Sequence, residues 1–130
     1  MRVTVLAGGN GGAKLVAGLA GAMPPEELTV IANIGDDVEI HGLTVSPDPD
    51  ILTYTLAGIV DAEKGWGVDG DTFETLGALD RLGEETWFGL GDRDIATHIL
   101  RSHWLREGLR ATEVAARIAE RLGVVARIVL

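Results

Sequence analysis

The chain has 130 residues, 46% of them hydrophobic, and a formal charge of −9 at pH 7. That length suits one globular domain, 1–130, with a single core. No run approaches the roughly 18 apolar residues of a membrane helix, the N-terminus lacks the layout of a secretory signal, and the absence of cysteine excludes disulfides and thiolate metal sites and fits a reducing, cytoplasmic setting.

The charge is uneven. Residues 36–94 carry 15 Asp or Glu against Lys64, Arg81 and Arg93, while the remaining residues carry 8 Lys or Arg against 5 Glu. An acidic middle argues against nucleic acid, which needs a basic footprint. It favours a divalent cation or a solvated acidic face.

In chain order, the apolar run over 2–7 predicts a strand. It leads into Gly8-Gly9-Asn10-Gly11-Gly12 and then a helix over about 12–22, stopped by Pro24-Pro25. Strand, glycine-rich turn and helix start together make a phosphate cradle. Glycines let the backbone approach a ligand, and a helix N-terminus offers free N–H groups and partial positive charge to an anion. Lys14 could reach the same phosphate, or lie on a solvated helix face. The turn is neither a P-loop, which places Lys before Ser or Thr, nor the dinucleotide fingerprint, which needs glycine where Lys14 stands.

Residues 28–32, Leu-Thr-Val-Ile-Ala, read as a strand buried on both faces. Residues 33–47 read as loop with a short extended piece around 38–45. Ser46-Pro47 opens a helix running to about 59 or 60, serine as N-cap and proline at the first helical position. After a glycine- and acid-rich loop over 61–70, Asp71 and Glu74 resemble a capping box for a helix ending at Gly83. Asp92 or Asp94 caps a further helix reaching about Glu107. Thr112 caps the last one, whose apolar face is Val114, Ala115, Ile118 and Leu122, with Gly123 after its end. A strand over 124–130 follows. The alternation predicts an α/β fold, a Rossmann-like parallel sheet with flanking helices. Ending on a strand predicts a chain cut short.

In an open parallel sheet, ligands bind beyond the carboxyl ends of the strands. Three acidic clusters could reach that edge: Asn33-Ile34-Gly35-Asp36-Asp37, Ser46-Pro47-Asp48-Pro49-Asp50 and Gly91-Asp92-Arg93-Asp94. Helix capping accounts for the last two without a ligand. Asp36-Asp37 is harder to explain that way, because adjacent like charges repel unless a cation or donors compensate. Mg²⁺ takes oxygen ligands and commonly bridges one or two carboxylates to phosphates. His98, four residues after Asp94, shares its helical face and reads as structural. Trp66, between Gly65 and Gly67, is expected to pack over a ligand or an adjacent subunit; Trp87 and Trp104 read as core or interface.

Taken in order, the blocks Leu6–Leu15 (with Asn10 where threonine is more usual), Val30–Asp37, Val45–Asp50, Tyr54–Ile59, Gly65-Trp66-Gly67, Gly70–Phe73 and Leu90–His98 resemble the 2-phospho-L-lactate transferases, called phosphoenolpyruvate transferases in actinobacteria, which serve coenzyme F-420 biosynthesis. The resemblance covers the whole chain. It implies a Mg²⁺-assisted transferase that moves a phosphoester from a guanosine diphosphate-activated donor to a hydroxyl of the deazaflavin FO, releasing GMP. It implies small-molecule partners and a homodimer. On this sequence it points to Gly8, Gly9, Asn10, Gly11, Gly12 and Lys14 for the nucleotide phosphates and to Asp50 for FO. Asp48 with Asp36 or Asp37 would hold the metal, and Asp48 and Asp50 are the catalytic candidates. A second FO-binding position of the family falls at Gly89, which cannot supply that contact. Family members are roughly twice this length or more, so the expectation is a truncated piece with little activity of its own. The rival reading is a nucleotide- or nucleotide-sugar-binding regulator like the gluconeogenesis-factor proteins, although Val38-Glu39-Ile40 after the Asp pair departs from their pattern.

Overall fold

A computed structural model describes residues 1–130. Three parallel strands, β1 (Val3–Ala7), β2 (Leu28–Ala32) and β5 (Arg127–Val129), form a sheet in the order β1-β2-β5. Val5 lies opposite Val30, and Val30 opposite Ile128. Helix α1 (Gly9–Ala22) and a single turn, Pro25–Glu27, connect the first two strands. The segment between β2 and the next helix is not loop alone. It folds into an antiparallel hairpin, β3 (Val38–Ile40) with β4 (Leu43–Val45). Then follow α2 (Pro47–Leu56), α3 (Glu74–Arg81), α4 (Asp92–Arg106) and α5 (Ala111–Arg121). The α/β reading with parallel strands and flanking helices holds.

The core lies on one face of the sheet. Val3, Val5 and Ala7 alternate toward it from β1, and Leu28, Val30 and Ala32 from β2, to meet Ala13 and Val16 of α1 and Leu52 of α2. Ile128 packs on Ala115 and Ala119 of α5. The alternate positions tell a different story. Leu6 is 79% exposed, and Thr29 and Ile31 are only half-buried. The expectation that β2 is buried on both faces is corrected, because the helices that touch the sheet pack on one side of it.

Other boundaries shift for local reasons. Helix α1 begins at Gly9 rather than at 12, since Gly12 N–H already donates to Gly8 O at 3.2 Å. Helix α2 ends at Leu56, where Gly58 turns the chain with φ of 72°. The expected capping box at Asp71 and Glu74 is absent. Asp71 instead caps α4, accepting from Arg93 N (2.9 Å) and Asp94 N (3.1 Å), while Asp92 caps α3, accepting from Glu74 N (3.0 Å) and Thr75 N (2.9 Å). Each aspartate satisfies the free N–H groups of the other's helix. Thr112 does not cap α5 either. That helix starts at Ala111, the Arg110 N–H donates to Glu113 at 2.9 Å, and Thr112 Oγ1 accepts from Leu130 N at 3.3 Å. The last strand is confined to Arg127–Val129. Trp104 is buried as expected, whereas Trp87 is 70% exposed and edge-on to Phe88.

Candidate functional site

The carboxyl ends of β1 and β2 lie side by side, joined by Asn33 N–H donating to Ala7 O at 3.0 Å. Beyond β1, Gly8 passes directly against Asp48 in the first turn of α2. A Cβ at Gly8 would sit 2.6 Å from Asp48 Oδ2, so close approach, not backbone conformation, demands glycine there. Asn33, just past β2, donates from Nδ2 to Asp48 Oδ2 at 2.8 Å and lies 3.4 Å from Asp36 Oδ2. Gly35 N–H donates to Asn33 Oδ1, which orients the amide. Asp36 and Asp48 therefore converge on one side chain.

Asp37 points elsewhere and accepts from Ser46 Oγ at 2.9 Å. Burial pushes its carboxyl up, against the pull of that bond and of Arg101. The start of α1 carries no side-chain cap, so its first N–H groups, at Gly9, Asn10 and Gly11, have no partner within the helix. Space beside Gly11 is open. Lys14 lies one turn on. With Asn10 and Lys64 it lines a separate cavity of about 310 Å³.

Asp50 is two residues after Asp48, and that step of about 200° along a helix turns it to the opposite side. It is buried and held by the Arg101 guanidinium of α4, through Nη1 to Oδ2 at 3.1 Å and through Nη2 to Oδ1. Burial pushes the Asp50 carboxyl up, and Arg101 opposes it. Arg101 Nη1 also lies 3.1 Å from His98 Nδ1 and donates to Thr44 O at 3.3 Å. On the far side of the imidazole, Nε2 is 3.2 Å from Asp94 Oδ2. Tyr54 donates to Asp94 Oδ1 at 2.6 Å. Burial, followed by the charges of Asp50 and Asp94, raises the phenol far above its ordinary value, so it stays protonated. Burial would raise Asp94 too, but His98 beside it, the Tyr54 hydroxyl and the Arg101 charge together hold it below the ordinary carboxylate value.

This cluster forms one wall of a cleft of about 410 Å³, whose other walls include Gly9, Asn10, Ile51, Phe88 and Trp66. Trp66, 38% exposed, stands on the strap over 61–70. The strap is closed by a Val60–Val68 bridge and by Asp61 Oδ1 accepting from Glu63 N and Lys64 N. The Trp66 ring lies against Gly89, where a Cβ would come within 2.8 Å of Cη2. Tryptophan thus occupies the space that a side chain at 89 would need.

Arg101 and Tyr54 are the site residues that sequence reasoning missed. Their signal was present: Asp94, His98 and Arg101 stand at spacings of four and three, one helical face, and Tyr54 follows Asp50 by four. No helix is long and apolar enough to cross a membrane.

A family model described as "2-phospho-L-lactate transferase CofD" matches residues 3–130. The 2-phospho-L-lactate transferase of Methanocorpusculum labreanum is 42% identical over 126 residues, covering 97% of this chain and 41% of that protein. The phosphoenolpyruvate transferase of Streptomyces griseus is 46% identical over 122 residues (93% and 38%), and that of Mycobacterium avium 43% identical over 141 residues (93% and 42%). The chain thus spans about two fifths of the length of these curated relatives. With the match running through the glycine turn, the aspartates behind it and the helix that carries Arg101, the chain belongs to the 2-phospho-L-lactate transferase CofD family.

Proposed function

We propose that this chain is the portion of a phosphoester transferase that holds the donor's diphosphate at the start of α1 and the deazaflavin acceptor FO in the adjoining cleft. The donor would be guanosine diphosphate-activated phospholactate or phosphoenolpyruvate, and GMP would leave. One observation carries the reading: Gly9 and Asn10 belong both to the uncapped N-terminus of α1 and to the wall of the cleft. An anion cradle and an acceptor site that share a wall bring two substrates within reaction distance, which is the protein's chief contribution in phosphoryl-type transfer.

The acidic side of the cradle fits Mg²⁺. Asp48 packs on Gly8, and both Asp48 and Asp36 gather at Asn33. Carboxylates so close to a phosphate site would repel the ligand without a cation between them. An all-oxygen donor set is what Mg²⁺ prefers. Asp48 and Asp36 would hold the ion, with Asp37 turned toward Ser46 in this arrangement. Bound there, the ion would supply neutralisation of phosphate charge. The chain's own groups do the rest. The N–H groups of Gly9, Asn10 and Gly11 receive phosphate oxygens, Lys14 adds positive charge nearby, and Asp50 with the Trp66 ring bounds the acceptor.

Calorimetry of GDP and FO binding in the presence of Mg²⁺ tests this. Gly11→Val is the informative variant. A side chain there meets nothing within 4 Å in the folded chain, yet it would stand where phosphate must approach. Weakened GDP binding by a folded Gly11→Val chain is expected. Unchanged binding would overturn the diphosphate assignment, and an FO-insensitive chain that still bound nucleotide would favour the regulator reading.

A further inference from the structure

We propose that the cavity between α1 and the strap over 61–70 holds the carboxylate of the donor's phospholactyl or enolpyruvyl ester, with Lys14 and Lys64 as its cationic partners. The inference rests on the donor reading above and deepens it, placing the part of the transferred group that does not react.

Lys14 and Lys64 are the only lysines of an otherwise strongly acidic chain, and both line one cavity of about 310 Å³. Asn10, Ala13, Lys14 and Ala17 recur at helical spacing and form its α1 side, while Glu63 and Lys64 face them from the strap. None of the chain's ion pairs uses Lys14. Side chains of a helix lean toward its N-terminus, which sets the Lys14 ammonium on the side of the diphosphate cradle. Lys64 is steadied by the Phe73 ring, 4.9 Å from its Nζ, by the Trp66 ring at 5.6 Å, and by Asp61 Oδ2 at 3.5 Å. An ammonium carries three donors, so this loose pair leaves Lys64 able to take a ligand oxygen.

The lining then selects the ligand. Two lysines against Glu63 leave an excess of one positive charge, which a carboxylate neutralises and a doubly charged phosphate would overshoot. Ala13, Ala17 and Val60 complete the wall and suit the methyl or methylene beside that carboxylate. The position suits the reaction as well. In-line transfer places the attacking and leaving oxygens on opposite sides of phosphorus, so an ester carried along must point sideways. Asn10 borders both this cavity and the acceptor cleft. A phosphorus at the start of α1 thus has the acceptor on one hand and room for the ester on the other.

L-2-phospholactate and isopropyl phosphate test this, since they differ only by a carboxylate in place of a methyl. In calorimetry with Mg²⁺, the parent chain should bind phospholactate roughly ten-fold or more tightly than isopropyl phosphate, as expected for hydrogen bonds between charged groups. Lys14→Met and Lys64→Met should each lose most of that preference, and Lys64→Arg should keep it. Carbon NMR of the lysine ε-methylenes should respond to phospholactate and much less to isopropyl phosphate. A parent that bound the two ligands alike, or neither, would overturn the assignment. Equal weakening of both ligands by the lysine variants would assign the lysines to phosphate and overturn it too. GDP, which has no carboxylate, reports separately: a parent that binds GDP without preferring phospholactate loses this inference alone, whereas one that does not bind GDP loses the donor reading with it.

Discussion

Arg101 grips both carboxylate oxygens of Asp50, linking the middle of α4 to the first turn of α2 inside the protein. The same guanidinium reaches the Thr44 carbonyl of β4 and His98 Nδ1, so one side chain ties the hairpin and two helices around one wall of the cleft. Arg101→Met would leave a buried carboxylate without its partner, a change that typically costs about 3–5 kcal/mol. Arg101→Lys should recover only part of this, since an ammonium cannot match the two-oxygen fork. Urea unfolding of the three chains checks the ranking. A lysine variant as stable as the parent would show that the fork geometry does not matter.

Much of this arrangement was legible in the sequence, and the remainder was hidden for identifiable reasons. The first two strands and the apolar face of α5 follow from local pattern, which is why strands at 3–7 and 28–32 and the packing of Val114, Ala115 and Ile118 agree with expectation. Asp71 and Asp92 misled because each looked like the cap of its own helix, whereas a carboxylate 21 positions away in sequence and adjacent in space did the capping. Arg101 and Tyr54 are seen only once α2 and α4 are brought together. The exposed face of the sheet was invisible for the opposite reason. Ile31 looks like a buried strand residue whether or not anything covers it.

Acid should unfold the chain partly through Asp92. Bonds from Thr72 Oγ1, Thr75 N and Glu74 N hold its folded carboxyl well below the ordinary value, so the unfolded chain takes up the proton first as pH falls. Its contribution is complete above the unfolded value of about 3.9 and is lost as pH drops toward the lower folded one. Asp94 acts in the same direction, and Asp37, raised by burial, in the opposite one. The gap in urea midpoint between parent and Asp92→Ala should therefore be widest near pH 6 and shrink toward pH 3. A gap that stayed constant across this range would rule out the linkage.

The Mg²⁺ reading gives Asp48 a sharper test than Asp37. Asp48→Asn keeps the size of the side chain against Gly8 and Asn33 while removing its charge. The circular dichroism spectrum should be unchanged, and Mg²⁺-dependent GDP binding should fall by roughly ten-fold or more, as expected for loss of one carboxylate beside a phosphate. Asp37→Asn, facing Ser46, should have the smaller effect. An unaltered magnesium titration for Asp48→Asn would remove it from the metal site.

The open face of the sheet should make this chain associate with itself. Parallel sheets are ordinarily covered on both faces. Here Leu6 stands 79% exposed from β1, with Ile31 of β2 and Val129 of β5 only half-buried beside it. The strands at both margins, β1 and β5, also present unpaired edges, and such edges invite pairing with another chain. Adjacent exposed apolar side chains on an uncovered sheet face favour association. Light scattering of the 130-residue chain should show a mass that rises with concentration. Leu6→Lys should reduce it without loss of stability, since position 6 touches none of the core. A monomer at every concentration would show that the exposed face is inert. Association unaffected by Leu6→Lys would move the contact to the strand edges, where a lysine facing outward from the sheet has little influence.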